Sequence, residues 1–372
     1  MLCCDAPHSP FGRFSAVTAR AVLAVFLATV AFFVAVTLSP LKSGFADAPP
    51  RGPGDVALYR AEIDRIHAGQ SYYEAADSEL RTRGYPTKSV FNWRTPLPMW
   101  LIGKLPDIEL GKLVLGTAAI ALLLLAFGLV AQETNVRQAM LAVLLLVGAL
   151  MPIALGNLFV MTELWSGVFI ALSVMAYGLN RRRLGVTSGI AALFFRELAA
   201  FYCLLCILLA LKDRRRNELV GWAAGLLAYS VFYAVHLHYV LPLMRTTDVA
   251  HQGGWICFGG AGFVISAAQM SAWLLLLPQW VTAIYLAAAL LGFASWNSPA
   301  GQRIGITATG YLIAFSIVGQ PINQYWGSMI APLLCVGAAR CPSALGRLLI
   351  AARLFPRRFI AAPLGTVPIG NG

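Results

Sequence analysis

An all-α, multi-pass membrane protein is the fold class this sequence predicts, and three observations predict it. Of 372 residues, 59% are hydrophobic and only 12% charged, about half the roughly 25% that a soluble globule carries to keep its surface wet. The mean hydropathy is +0.72. The net charge of +12 is gathered in short runs beside apolar stretches. Together these exclude a soluble enzyme, a secreted disulfide scaffold and a disordered chain. The basic runs are Arg181-Arg182-Arg183, Lys212 with Arg214-Arg215-Arg216, and Arg340, Arg347, Arg353, Arg357 and Arg358. Short Lys/Arg-rich loops stay on the cytoplasmic side of a membrane, so the charge reads as topology, with attraction to anionic lipid headgroups. No basic stripe alternates with aromatics as a nucleic-acid surface requires, and no nucleic-acid partner is expected.

The elements follow in chain order. Arg13 and Arg20 precede an apolar run over 21–38, long enough with its flanks to cross a hydrocarbon core of about 30 Å. Ala46-Asp47-Ala48 has the form of a signal-peptidase site. The run exceeds the usual core of about 7–15 residues, so an uncleaved first helix with its amino terminus inside is expected. Residues 39–109 then form one long polar stretch, expected outside. It holds a short amphipathic helix over 57–67 and a proline-broken segment over 96–105 at the membrane interface. Spans are expected over 110–131, 139–155 and 166–179.

Leu184–Leu211 is 28 residues bounded at both ends by basic clusters. Both ends must therefore lie inside, yet two full crossings need about 40 residues. The spacing predicts a short re-entrant hairpin turning at Arg196-Glu197. Further spans are expected over 217–235, within 263–296 after an interfacial helix, over 304–318 and over 328–339. The total is about ten passes in a single domain over 1–355, both termini inside, with a cytoplasmic tail over 356–372. No internal repeat is visible. The seven cysteines include Cys203 and Cys206 at CxxC spacing in an apolar run. They read as small helix residues, and no disulfide is expected.

Polar groups inside a membrane cost about 2.5–3.5 kcal/mol each on insertion scales and persist when paired or when lining a wet cavity. Arg196 and Glu197 are such groups: either they neutralise each other at the turn, or Arg196 offers its planar fork to a phosphate while Glu197 orients it. Asp55, after the Gly52-Pro53-Gly54 turn, is either an N-cap or a general base for an acceptor hydroxyl. Arg94, in Phe91-Asn92-Trp93-Arg94-Thr95-Pro96, is either a snorkelling anchor beside an interfacial Trp93 or a second phosphate ligand. His236 and His238 read as interfacial. With Asp248 or His251 they form the one set that could hold a divalent cation, and no metal or other cofactor is expected. There is no P-loop, dinucleotide fingerprint or nucleophile elbow.

Several short motifs carry a resemblance: Gly54-Asp55 with Tyr59, Gly69-Gln70-Ser71-Tyr72-Tyr73, Arg83-Gly84-Tyr85-Pro86, Arg94-Thr95-Pro96, Gly156-Asn157, Phe195-Arg196-Glu197-Leu198-Ala199 and Gln320-Pro321-Ile322-Asn323-Gln324-Tyr325-Trp326-Gly327. With them, a first helix, a large outer loop bearing an early acid, and helices with shallow re-entries, the chain resembles the GT-C class of membrane glycosyltransferases, close to bacterial proteins of cell-surface glycopolymer formation. The resemblance implies an inner-membrane enzyme with its site facing outward. It would move a sugar from a polyprenyl-phosphate donor to a glycan or glycolipid acceptor. Asp55 would be the catalytic carboxylate, and Arg196 and Arg94 would meet the donor phosphate. Tyr59, Tyr73, Tyr325 and Trp326 would stack on sugar faces, Asn323 and Glu163 would bind hydroxyls, and Glu197 and His236 would support the site. The large soluble carboxy-terminal domain of several GT-C enzymes has no counterpart in the sequence. Two other functions fit the same pattern: a glycolipid or anion carrier, and a non-catalytic subunit of a glycan-assembly complex.

Overall fold

A computed structural model of the protein describes residues 9–39, 54–250 and 258–355. The signal-peptidase-like motif at 46–48, Cys3, Cys4, His251, Cys257 and the tail over 356–372 lie outside the described residues. All regular elements among the described residues are helical.

Helix α1 (Ala16–Leu38) starts at Ser15, whose side chain accepts the Thr18 amide and so satisfies one of the donors a helix start leaves open. It buries only Ala19 and Leu23. An apolar helix with almost no buried face is stable only where lipid takes the place of a packing partner. Two amphipathic helices follow the second gap. In α2 (Asp55–His67), Leu58, Tyr59, Glu62, Ile63 and Ile66 turn inward. In α3 (Tyr72–Thr82), Ser71 and Glu74 close a reciprocal capping box. The short α4 (Leu97–Gly103) packs on α2. The close approach leaves no room for a side chain at Gly103, where a Cβ would stand 2.7 Å from Ile66.

The bundle proper begins with α5 (Leu110–Glu133) and α6 (Val136–Leu150), joined at Asn135, whose side chain caps the Gln138 amide. Helix α7 (Thr162–Gly178) is the axis of the molecule and buries all of Thr162–Tyr177 except Phe169. Around it lie α8 (Arg182–Phe195), α9 (Ala200–Lys212) and α10 (Arg216–Val240). Then come α11 (Gly260–Ala268), α12 (Ala272–Leu275), α13 (Gln279–Ala294) and α14 (Pro299–Val318), a 3-10 segment over Pro321–Met329, and α15 (Ala331–Ala351). Five of these, α1, α5, α15, and α6 and α10 each with the 3-10 turn that continues it (to Ile153 and Leu243), are long and apolar enough to cross a membrane. Small residues let helices touch closely, as membrane packing requires. A Cβ on Gly292 of α13 would lie 1.9 Å from the Gly337 carbonyl of α15.

The re-entrant hairpin forms as the charge spacing predicts. Helix α8 ends at Phe195, Arg196 is extended, and a 3-10 turn over Glu197–Ala199 leads into α9. At 1.5 Å per residue the two arms rise only about 20 Å, short of a full crossing.

Three expectations are corrected. Asp55 is not an N-cap: Gly54 holds that place with φ 85°, a conformation that favours glycine, and Asp55 opens α2 without capping it. His236 does not end its helix, because α10 runs on to Val240 and buries the ring. The last span does not end at 339, because α15 continues through Arg340 and Arg347. Arg340 is 1% exposed, its guanidinium 4.4 Å from the centre of the Trp296 ring. An aromatic face supplies part of the solvation that burial removes from a guanidinium.

Candidate active site

A cavity of about 1010 Å³ opens where α2, the segment after α3 and the 3-10 segment meet. Asp55, Tyr59, Arg94, Asn323, Tyr325 and Trp326 all line it. Three parts of the chain therefore converge on one space.

Helix α2 supplies the acid. Asp55 and Tyr59 stand four residues apart and share a face. The Tyr85 hydroxyl donates to Asp55 Oδ1 at 3.0 Å. Among the described residues Asp55 pairs with no cation, and its carboxylate is left partly open to the cavity. Burial pushes the Tyr85 phenol well above its usual range, and the Asp55 carboxylate adds to the shift. Tyr85 is therefore a proton donor at any physiological pH.

The segment over 83–96 supplies the cation. Trp93 is buried, its indole donating to the Thr87 carbonyl at 3.1 Å. It is a core residue and not an interfacial belt residue, and Arg94 is turned inward instead of snorkelling. Arg94 Nε donates to the Tyr59 hydroxyl at 2.8 Å, and Nη2 donates to the Tyr325 hydroxyl at 3.5 Å. Its Nη1 lies 3.6 Å from Glu197 Oε1. Burial opposes the Arg94 charge, while Tyr59, Tyr325, Glu197 and Glu163 around it hold it firmly protonated. The Tyr325 hydroxyl donates in turn to Asn323 Oδ1 at 3.2 Å.

Behind Arg94 the charges alternate. Glu197 meets Arg196 Nη1 at 2.8 Å, and Arg196 Nε meets Glu163 Oε1 at 2.9 Å. These contacts lie off the hydrogen-bond line and hold by charge. The row runs from α7 through the hairpin tip to the cavity wall. Aromatic stacking fixes it: the Phe195 ring lies 4.7 Å from Trp165 and 5.3 Å from Phe169, clamping the tip to α7.

Most of the residues singled out from sequence thus meet, though not all in the expected place. Arg196 and Glu163 do not reach the cavity, being 2% and 0% exposed with each other as partners. Glu197 stands beside them, outside the cavity lining. Trp326 lines the cavity, but its ring packs against Phe315 and Phe263 at 5.8 and 6.3 Å, so it forms wall more than stacking platform. Tyr73 lies elsewhere, stacked on Tyr239 at 4.9 Å. His236 braces the site from outside it. Its Nε2 faces the Trp93 carbonyl at 3.2 Å and Nδ1 faces the Tyr73 hydroxyl at 3.3 Å. A carbonyl can only accept, so Nε2 carries the proton and Nδ1 accepts from Tyr73. Asp248, the other candidate ligand, is held by Arg81 and by the Arg245 amide at 2.9 Å. The Arg81 bonds press the Asp248 carboxyl down to about 2. Among the described residues no group of three ligand side chains gathers around one point.

Sequence reading missed Tyr85 as the partner of Asp55, and Arg81 and Asp248 as cavity-wall residues. Tyr85 carried a faint signal in its place after Arg83-Gly84, where Gly84 takes a φ of 70° and turns the chain back over α2.

The helices, the short outer elements α2–α4 and the hairpin together make an all-helical fold that a solved structure shares. The chain is similar in structure to ArnT from Cupriavidus metallidurans in the apo state, with a TM-score of 0.51 and 13% identity over 90% of this chain. It spans 62% of the length of that ArnT chain. No family model and no curated protein sequence matches the chain.

Proposed function

We propose that this protein is a membrane glycosyltransferase that moves a sugar from a polyprenyl-phosphate carrier to a hydroxyl of a glycan or glycolipid, in a cell envelope's inner membrane, with its site facing outward. The observation that carries this reading is the presence of an unpaired carboxylate, Asp55, and a phosphate-competent guanidinium, Arg94, on one cavity. An apolar side completes it. Leu158, Leu275 and Ile322 line the cavity and are exposed, which suits a lipid tail.

In this mechanism Arg94, Tyr59 and Tyr325 receive the donor phosphate, with Arg196 and Glu163 behind them as a fixed backing. Asp55 takes the proton from the acceptor hydroxyl through its free oxygen while Tyr85 holds the other. The acceptor oxygen attacks the anomeric carbon from the face opposite the phosphate. The bond from that carbon to the phosphate oxygen breaks, its electron pair leaves with the polyprenyl phosphate, and the configuration inverts. The leaving group departs as a stable anion, so donors aimed at the phosphate contribute more than acid catalysis would.

Asp55→Asn is expected to lower kcat by about 10²–10⁴-fold, the range of a lost general base, with donor KM little changed. Arg94→Gln is expected to raise donor KM by about 10–100-fold, in line with the 1.5–3 kcal/mol of a charged hydrogen bond. Sugar transfer in proteoliposomes, with labelled polyprenyl-phosphate sugars, measures both. Full activity of folded Asp55→Asn, or lipid-sugar flux with no glycosidic bond formed, would overturn the reading.

A further inference from the structure

One acid in this region has no role in the mechanism above. Glu62 lies seven residues after Asp55 and three after Tyr59, so helical geometry puts all three on one face of α2. It is 2% exposed, and its Oε2 is buried without any hydrogen-bond partner. A carboxylate is rarely left in that condition, because burying an unpaired charge costs far more than burying a neutral acid. The groups around it are known from each packed element. Helix α2 contributes Asp55, α3 contributes Tyr72 and Glu79, and the 83–96 segment contributes Arg83, Tyr85 and Arg94. Helix α4 and the turn over Leu158–Val160, which also pack on α2, bring no titratable group. Glu79 is already held by Arg65 and Arg83. Arg94 is thus the strongest opposing charge that acts on Glu62, yet the two make no ion pair.

We propose that Glu62 is a positioning residue for the anion site: a neutral buried acid behind Arg94 that leaves the guanidinium free for a phosphate and cancels it when ionised. This rests on the phosphate reading of Arg94. The sign follows from the surroundings. Burial, and after it the nearby acids Glu79 and Asp55, push the Glu62 carboxyl up to about 8, with Arg94 opposing. Below that point Glu62 carries its proton, and Arg94 is balanced by Glu197 with Glu163 behind it. Above it a further carboxylate charge acts on Arg94 and competes with any phosphate in the cavity. Tyr72 of α3 ties this region together, because its hydroxyl donates to the Arg94 carbonyl.

The test is equilibrium binding of a polyprenyl methyl phosphate to the purified full-length protein in nanodiscs. The probe is a diester, so its charge stays fixed from about pH 6.5 to about pH 9.5 while Glu62 titrates. The wild type is expected to lose about tenfold in affinity over that range, a loss worth about one pKa unit. Glu62→Gln, which mimics the protonated acid, is expected to stay level, and Glu62→Met likewise. Arg94→Gln is expected to bind weakly at every pH. Infrared difference spectra of wild type against Glu62→Gln should show a protonated carboxyl at neutral pH that disappears on raising the pH. Parallel pH profiles for wild type and Glu62→Gln would overturn the role of Glu62 while leaving the phosphate site intact. Binding that ignores Arg94→Gln would instead overturn the phosphate site, and the inference with it.

Discussion

Arg196 is held between Glu163 and Glu197, and 2% of its side chain is exposed. Removing one partner from a buried pair strands a charge and costs about 3–5 kcal/mol. Glu163→Gln is therefore expected to lower the thermal midpoint sharply. Glu197→Gln should lower it less, since Glu197 is 27% exposed. Thermal unfolding in detergent compares the two directly; equal shifts would show that the row does not hold the hairpin tip. The Arg196–Glu197 half of this pairing was legible in the sequence, since two charges in an apolar run must answer each other. Glu163 was not. It reads as a loop residue until α7 is seen to begin at Thr162 with its first turn facing inward. Glu62 was hidden for a different reason. Arg60, Asp64 and Arg65 surround it in sequence, and nothing local says which member of a charged helix points to the core.

At the scale of elements, the 3-10 segment over Pro321–Met329 carries Asn323, Tyr325 and Trp326 to the cavity because it is wedged between two helices. A Cβ on Gly327 would stand 1.8 Å from the Ala267 carbonyl of α11, and one on Gly167 of α7 would stand 2.2 Å from the Ser328 carbonyl. Backbone cannot yield as a flexible side chain can, so Gly327→Ala is expected to cost about 1–3 kcal/mol, the usual penalty of overpacking. It should also displace Tyr325 and so raise donor KM. Gly346→Ala, where a Cβ meets nothing within 4 Å, serves as control; matched behaviour of the two in a transfer assay would refute the wedge. The polar and aromatic run of this segment was readable as a turn facing the site. Its clamping was not, because close backbone contact between distant elements leaves only glycines as its trace.

Across the whole molecule, the outer elements α2–α4 and the 3-10 segment cluster at the tip of the hairpin, while Arg181–Arg183 and Lys212–Arg216 sit at its base. On the positive-inside rule the base is expected in the cytoplasm and the cavity outside. Single cysteines at Lys88 and Arg214 are expected to react with impermeant thiol reagents from outside and only after lysis, respectively. The reverse pattern would invert the topology. The all-helical fold and the hairpin were legible because hydrophobic length and charge placement are written locally. Element ends were less so. Helix α15 runs past Arg340 and Arg347 because Trp296 and close helix packing accept charges that hydropathy alone would expel.

The hairpin stops after about 20 Å, and its apex backs the cavity wall through Glu197 and Arg94. Beneath that apex lies solid protein: Tyr202, Cys203 and Trp222 are fully buried between α8, α9 and α10. The reacting centre therefore rests on a septum of packed side chains. In the proposed reaction a sugar would change hands on one side of the bilayer while the compartments on either side stay electrically insulated from one another.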